Sequence, residues 1–175
     1  GFNNHGADVV RNRIRSENNL GLLGINIGPN KDTDDRLKDY LIGFKTFHEA
    51  ADYITINISS PNTENLRNFH EKSKLQELLK SILKEKTNLN SNTPIAVKIS
   101  PDINENQINL ISEILLENEI QAIIISNTSE NSRDKLSNIQ RHQKGGLSGK
   151  PIEEKSNILI GKFYKLLKGK IKIIG

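Results

Sequence analysis

The sequence predicts an α/β fold, specifically a (β/α)8 or TIM barrel, of which these 175 residues form an internal segment. Three observations predict it. Short runs rich in isoleucine or valine are apolar on both faces, as parallel strands are when they are covered on both sides. Segments with the apolar spacing of helices separate these runs, and each is long enough for a strand–helix–strand crossover. Polar residues collect at the carboxyl ends of the runs, where barrels place their ligand sites.

Strands and helices are predicted to alternate along the chain. The strands are residues 22–27, 53–58, 95–99, 121–126 and 171–174. The helices are indicated by apolar stripes, which consist of Leu37, Tyr40, Leu41, Phe44, Phe47 and Ala51; Leu75, Leu78, Leu79 and Ile82; Ile108, Ile111, Leu115 and Leu116; and Leu159, Phe163, Leu166 and Leu167. A further helical pattern over Ala7–Ser16 precedes the first strand.

Boundary residues agree with these helices. Asn104 stands three residues before Gln107, which is the spacing of a capping box. Pro151 fits the first turn of the last helix, and Gly169 suits a C-cap just before the last strand.

The same alternation also fits a doubly wound sheet. The G-x-G-x-x-G fingerprint that is usual after the first strand of a dinucleotide-binding sheet is absent. A barrel needs about 250 residues, which is more than this chain has. Residues 1–175 are therefore expected to be the middle of a barrel, about strands 3 to 7, and part of a single domain.

Composition narrows the range of functions. The net charge of +4 is small and spread along the chain, and only 5% of the residues are aromatic, so no nucleic-acid partner is expected. The absence of cysteine excludes disulfides, thiolate catalysis and cysteine–zinc sites. No histidine cluster offers a metal site. The histidines, which are His5, His48, His70 and His142, are expected to be ordinary solvated side chains.

The candidate site residues lie where predicted strands end. They are Asn26; Asn57 with Ser60 and Asn62; Lys98; and Ser126, Asn127 and Thr128. Asparagine offers both donors and an acceptor, so several asparagines aimed at one point can grip the edges of a planar, amide-rich ligand. A lysine at a strand end supplies positive charge for an anion or an electron-rich ring. No carboxylate pair lies among these positions, which disfavours glycosidase chemistry.

Structural explanations compete for most of these residues. Asn26 and the segment Ser59-Ser60-Pro61-Asn62 could form ordinary turns, and Asn127 could begin a helix. Lys98 favours function, because a lysine within an apolar strand would be buried without a partner at considerable cost. The segment 145–149 could be a flexible linker or, because it precedes a helix, an anion site.

Taken together, these residues resemble the quinone-dependent (class 2) dihydroorotate dehydrogenases. The matching segments, in order, are Gly1-Phe2-Asn3-Asn4, Leu23-Gly24-Ile25-Asn26-Ile27-Gly28, Lys31-Asp32-Thr33, residues 57–63, Ala96-Val97-Lys98-Ile99, Asn127-Thr128 and residues 145–151. They cover nearly the whole chain. The resemblance implies a (β/α)8 barrel that holds FMN at the carboxyl ends of its strands and oxidises dihydroorotate to orotate in pyrimidine synthesis.

The resemblance also implies a role for each candidate, with Ser60 as the catalytic base. The FMN contacts would be Asn26, Asn57, Lys98, Ser126 and Gly149, and the substrate contacts would be Gly1, Phe2, Asn57, Asn62, Asn127 and Thr128. Ubiquinone would be the electron acceptor. Peripheral association with a bacterial or mitochondrial inner membrane would come from an amino-terminal segment outside this chain.

The choice of class rests on Ser60. Class 1 enzymes use cysteine as the base, and this chain contains none. Two other interpretations stay open. One is an FMN barrel of class 1 type, such as a dihydropyrimidine dehydrogenase-like domain, and the other is an inactive or split barrel fragment.

Overall fold

The helices and strands alternate along the described chain. The computed structural model describes residues 4–17, 21–59, 70–131, 133, 136–143 and 145–175. Their elements are α1 (Ala7–Ser16), β1 (Gly24–Ile27), α2 (Arg36–Phe47), β2 (Tyr53–Asn57), α3 (Lys72–Asn88), β3 (Ile95–Lys98), α4 (Glu105–Glu117), β4 (Ala122–Ile124), α5 (Lys150–Leu167) and β5 (Lys172–Ile174). A short 3-10 helix, Ile139–His142, lies between β4 and α5.

The order of the strands decides between the two predicted architectures. All strand pairs are parallel, and the strands lie side by side in sequence order from β1 to β5. Each helix packs against the next one along the chain, from α1 to α5. A doubly wound sheet reverses its strand order and carries helices on both faces, whereas a barrel keeps one order inside an outer ring of helices. The described residues therefore form an arc of a (β/α)8 barrel, as predicted.

The two faces of the sheet differ in chemistry. On one face the strands join the helices in a buried apolar core, and the strand-side members are Ile27, Ile54, Ile56, Ile58, Ile95, Val97, Ile99, Ile123, Ile125 and Ile171. Successive residues of a strand point to opposite faces. The alternate residues therefore make up the other face, which we call the site face, and they include Asn26, Thr55, Asn57, Ala96, Lys98, Ala122 and Ile124.

The strands are shorter than the sequence predicts. The first predicted strand includes Leu22, but this residue lies before β1 and is exposed. Apolarity sets the predicted limits, whereas a real strand also needs backbone partners on its neighbour. Gly24 and Ile174 are exposed on the two edge strands, because β1 and β5 each lack one neighbour in the described sheet.

The helix ends follow local signals in the sequence. Asn104 accepts a hydrogen bond from the Gln107 N–H, and the Gln107 side chain accepts one from the Asn104 N–H, both at 3.0 Å, which confirms the capping box. Pro151 lies in the first turn of α5, as predicted. Lys168 is the C-cap of α5, and Gly169 follows it with a φ of 75°. None of the described helices is long and apolar enough to cross a membrane.

Three side-chain predictions are wrong in detail. Ala51 belongs to the first predicted stripe, but it lies beyond the end of α2, and Leu166 of the last stripe is exposed. His70 is predicted to be solvated but is only 2% exposed. An imidazole is amphipathic and is intermediate in its tendency to be buried, so composition cannot predict its environment. His48 is half-buried, and its ring stacks on Phe44.

Candidate active site

Two predicted site residues lie together at the carboxyl edge of the site face, and a third lies one layer below them. Asn57 and Lys98 end β2 and β3 and are direct partners in the parallel register. Because in-register partners point to the same face, their side chains are neighbours on the site face. Asn26 of β1 pairs with Thr55 and therefore lies one layer closer to the amino ends of the strands, where it is exposed.

Asn57 is held at both its side chain and its backbone. Its Oδ1 accepts hydrogen bonds from the N–H of Ser59 (3.1 Å) and from Ser59 Oγ (2.6 Å). Its carbonyl oxygen accepts a hydrogen bond from the Tyr40 hydroxyl at 2.6 Å. Burial raises the pKa of Tyr40 far above its ordinary value, against the opposing charge of Arg36, so this hydroxyl stays a neutral donor. Among the described residues no acceptor lies at hydrogen-bond distance from the Asn57 side-chain NH2, so this part of the amide can serve a ligand.

Lys98 brings a positive charge to the same edge. Its side chain is half-buried, and within the described ranges no carboxylate lies at ion-pair distance from its Nζ. Lysines in such surroundings are normally paired or bound to a ligand, because withdrawal of an unpaired charge from water is unfavourable. Lys98 is predicted to be buried without a partner; the structure leaves it half-buried, with no carboxylate partner among the described residues.

Asn127 connects the end of β4 to the end of β2. Its Nδ2 donates a hydrogen bond to the carbonyl of Ser59 at 3.1 Å, and its backbone N–H donates to the carbonyl of Ile99 at 3.0 Å. Ser59 also contacts Asn57, so one residue links two of the predicted site asparagines. Asn127 does not begin a helix, which excludes the competing structural explanation.

Ser126 is turned toward helix α5. Its Oγ lies 2.9 Å from the Oγ of Ser156 and 3.2 Å from the carbonyl oxygen of Asn127. The peptide bond between Ile125 and Ser126 is cis. The Ser126 hydroxyl is therefore fixed by a helix residue that the sequence does not single out.

Thr128 packs directly against the glycine-rich segment before α5. A Cβ added at Gly146 would lie 1.8 Å from Thr128 Oγ1, so only glycine fits there with Thr128 in this position. Backbone hydrogen bonds run both ways between Ser129 and Leu147 (2.9 and 2.7 Å). The segment is therefore paired with Ser129 in the stretch after β4 and is not a flexible linker. Gly149, with a φ of 75°, is the N-cap of α5.

Sequence reasoning missed a buried carboxylate next to this site. Asp102, in the loop after β3, accepts hydrogen bonds from Ser129 Oγ (2.6 Å) and the Glu130 N–H (2.8 Å), and it pairs with Lys155 of α5. Burial would raise the pKa of Asp102, but the bonds from Lys155, Ser129 and Glu130 and the Lys155 charge together hold it below its usual value. The only signal is an acidic residue shortly after Lys98, in a Pro101-Asp102 pair that equally suits the approach to a helix.

Four predicted residues cannot be placed. Gly1, Phe2, Ser60 and Asn62 lie outside the described residues. Their predicted roles therefore stay predictions, and the geometry of the site rests on the ends of β1 to β4 and the start of α5.

The fold and the site define a class: a (β/α)8-barrel protein with amide, hydroxyl and lysine groups at the carboxyl ends of its strands, where barrel enzymes place their active sites. The family model described as Dihydroorotate dehydrogenase matches residues 1–175. The chain therefore belongs to the dihydroorotate dehydrogenase family, as its resemblance implies.

Similar proteins agree with this assignment. Dihydroorotate dehydrogenase (quinone) of Wigglesworthia glossinidia brevipalpis is 45% identical over 182 residues, which covers 100% of this chain and 54% of that relative. The protein of the same name from Idiomarina loihiensis is 41% identical, again over 100% of this chain and 54% of the relative. A crystal structure of ligand-free DHODH from Eimeria tenella matches with a TM-score of 0.92 and 31% identity, over 99% of this chain and 55% of that one. The chain thus spans about half the length of the relatives it matches.

Proposed function

We propose that the whole protein oxidises (S)-dihydroorotate to orotate, with FMN as the hydride acceptor and ubiquinone as the electron acceptor, in de novo pyrimidine (UMP) biosynthesis. The observation that carries the proposal is the adjacency of Asn57, Lys98 and Asn127 at the carboxyl edge of the site face. Amide groups suit the amide edges of a dihydropyrimidine ring, and the lysine suits an electron-rich ring beside it. Family membership and the names of the relatives support the same reaction.

The described residues fit FMN. Ala96 and Ala122 are register partners one layer below Lys98 on the site face, and their small side chains leave room for a flat ring. Lys98 offers its charge, Asn57 offers its side-chain NH2, and Asn26 lies exposed beside them. When bound, FMN supplies an acceptor for the hydride of the substrate. The remaining FMN contacts are assigned to Ser126, which Ser156 orients, and to Gly149 at the start of α5.

The substrate contacts are assigned to Asn57, Asn127 and Thr128, together with Gly1, Phe2 and Asn62 outside the described residues. Asn127 reaches the Ser59 carbonyl with its Nδ2, which orients its Oδ1 for a ring N–H. Thr128 lies in a fixed position against Gly146. We assign to these groups the binding of the ring and its orientation between the base and the flavin.

Ser60 is assigned the role of catalytic base. It takes the proton from C5 of dihydroorotate while the hydride leaves C6. Because the pKa of a serine hydroxyl lies far above the operating pH, Ser60 must pass the proton on, through water and either Thr63 or another nearby hydroxyl. Ser60→Ala should slow flavin reduction by about 10²-fold or more and leave FMN content unchanged. Unchanged reduction kinetics in stopped flow would reject the assignment.

The class 2 assignment adds partners beyond the described residues. The relatives from Wigglesworthia and Idiomarina are named for quinone, and ubiquinone is proposed as the acceptor for that reason. Peripheral membrane association, at a bacterial or mitochondrial inner membrane, is proposed with it. Residues 1–175 are assigned to one FMN-binding catalytic domain without a nucleic-acid partner.

Anaerobic flavin bleaching tests the proposal. The whole protein is loaded with FMN, dihydroorotate is added, and the flavin absorbance is followed at about 450 nm. We expect bleaching that reverses on addition of a ubiquinone analogue. Reversal with fumarate or NAD alone would keep the substrate and reject the quinone class. Protein that retains bound FMN without bleaching would favour the inactive-barrel interpretation.

A further inference from the structure

Asp102 is a buried carboxylate that the proposed chemistry does not use. Its side chain is only 3% exposed, while that of its partner Lys155 is 34% exposed. Asp102 Oδ1 accepts the hydrogen bond from Ser129 and pairs with Lys155, and Oδ2 accepts from the Glu130 N–H. One carboxylate thus joins the loop after β3, the segment after β4 and helix α5.

Two of these three segments are attached directly to proposed site residues. Asp102 follows Lys98 by four residues, and Ser129 comes directly after Thr128. Ser129 is fully buried, and its Oγ also accepts the N–H of Asn131 at 3.1 Å. Together with the paired backbone bonds to Leu147, these contacts fix the chain immediately after Asn127 and Thr128.

The hydrogen bonds and charges of this cluster hold its three segments in one arrangement, which apolar packing alone would not do. A buried charge is unfavourable unless it is paired and its remaining acceptors are satisfied. Asp102 meets that condition through a serine hydroxyl, a backbone N–H and an ammonium group that come from different segments. If any one partner is lost, a buried polar group is left without a hydrogen bond. The cluster is therefore favourable only when all of its partners are in place.

We propose that Asp102, with Ser129 and Lys155, positions Asn127 and Thr128 for the substrate, so that all three are positioning residues. The inference rests on the proposed function, because it takes dihydroorotate as the ligand of Asn127 and Thr128. Without the cluster, the segment after β4 shifts, and Asn127 and Thr128 bind the substrate ring less tightly. Lys98 and Asn57 are register partners at the ends of β3 and β2, so we expect the flavin side of the site to change less.

The test compares Asp102→Asn, Ser129→Ala and Lys155→Met in the whole protein. KM for dihydroorotate, kcat, bound FMN per protein and the melting temperature are measured for each. We expect KM to rise about tenfold in Asp102→Asn and Ser129→Ala, which corresponds to the loss of one good contact. FMN content should not change, and kcat at saturating substrate should fall less than KM rises.

Lys162→Met is the matched control. Lys162 lies on α5 like Lys155 and pairs with Glu105 of α4, so its loss removes an ion pair of the same helix whose carboxylate is exposed and does not contact Ser129. It should leave KM unchanged. If Asp102→Asn does not fold, Ser129→Ala decides the outcome because it removes only one oxygen.

Three results would overturn the inference. A lower melting temperature with unchanged KM in Asp102→Asn and Ser129→Ala would mean that the cluster only stabilises the fold. An unmodified protein that binds FMN but is not reduced by dihydroorotate would reject the proposed function and this inference with it. An active unmodified protein with variants of unchanged KM would reject the inference alone.

Discussion

At the scale of single residues, Gly146 controls where Thr128 can lie. A Cβ at Gly146 would come within 2.3 Å of Thr128 Cβ, an atom that cannot move without its backbone. Gly146→Ala should therefore displace Thr128, lower the free energy of unfolding by about 1–3 kcal/mol, and raise KM for dihydroorotate. Urea unfolding and steady-state kinetics on the whole protein measure the two effects.

Gly161→Ala is the control for Gly146→Ala. Gly161 lies inside α5 with open space around its Cβ position, so alanine should stabilise the helix by about 0.5–1 kcal/mol and leave KM unchanged. Equal effects of the two substitutions would contradict the role given to Gly146.

Tyr40 holds the backbone of Asn57 through one hydrogen bond. Tyr40→Phe keeps the buried ring but leaves the Asn57 carbonyl without this donor, so the free energy of unfolding should fall by about 1–3 kcal/mol. Tyr164→Phe is the matched control, because Tyr164 is 68% exposed and its loss of a hydroxyl should change stability by less than about 0.5 kcal/mol. Urea titrations of both variants measure the two changes in the free energy of unfolding.

The residues that can be predicted from sequence are those whose position follows from strand periodicity. Asn57 and Lys98 are each the last residue of a strand. Once the two strands are parallel and in register, the two side chains must be neighbours on the same face. Asp102 cannot be predicted in the same way, because its partner Lys155 lies 53 residues further along the chain on a helix. Charge pairs at that separation depend on how elements pack, which no local pattern encodes.

At the scale of elements, Asp102 ties the loop after β3 to α5 in a pH-dependent way. Its pKa in the folded chain is lower than its ordinary value of 3.8, because the bonds and charge from Lys155, Ser129 and Glu130 outweigh burial. Its contribution to stability is therefore present above about pH 5 and is lost as the pH falls below about 4.

The difference in free energy of unfolding between the unmodified protein and Asp102→Asn should follow that pH range. Urea titrations from about pH 3 to about pH 7 measure it. In a Lys155→Met background the same comparison should vary less with pH, because the charge that lowers the pKa of Asp102 is gone. A difference that is constant over the whole range would contradict the assignment.

The limits of the strands are harder to predict than those of the helices. Helices begin and end at residues with local chemistry, and the Asn104–Gln107 capping box follows from the spacing of two residues in the sequence. Ile58, Ile99 and Ile125 come directly after β2, β3 and β4, and all three are buried. Their backbone N–H groups still donate to the carbonyls of Lys98, Ile124 and Ile174 on the neighbouring strands. The apolar pattern therefore continues past the last strand residue together with the backbone hydrogen bonds, and it does not mark where the strand ends.

At the scale of the whole molecule, the alternation of strands and helices predicts the α/β class but not the sheet order. Both a barrel and a doubly wound sheet satisfy the same apolar patterns. Only the sequential order β1 to β5, with each helix packed on the next, separates them. The order depends on which strands pair, and pairing is a contact between segments that are distant in the chain.

The described arc has two open edges, and this predicts how residues 1–175 behave when they are expressed alone. β1 and β5 each lack a neighbour on one side in the described sheet, and such edges offer unpaired backbone groups to other chains. The isolated segment should therefore self-associate in sedimentation velocity at micromolar concentration. Ile174→Lys, which puts a charge on the 41%-exposed side chain of the β5 edge, should shift it toward monomer. Ile139→Lys removes a still more exposed isoleucine, but one outside the strands, and should leave the association unchanged. An equal shift in both variants would mean that general surface apolarity, and not the open sheet edge, drives the association.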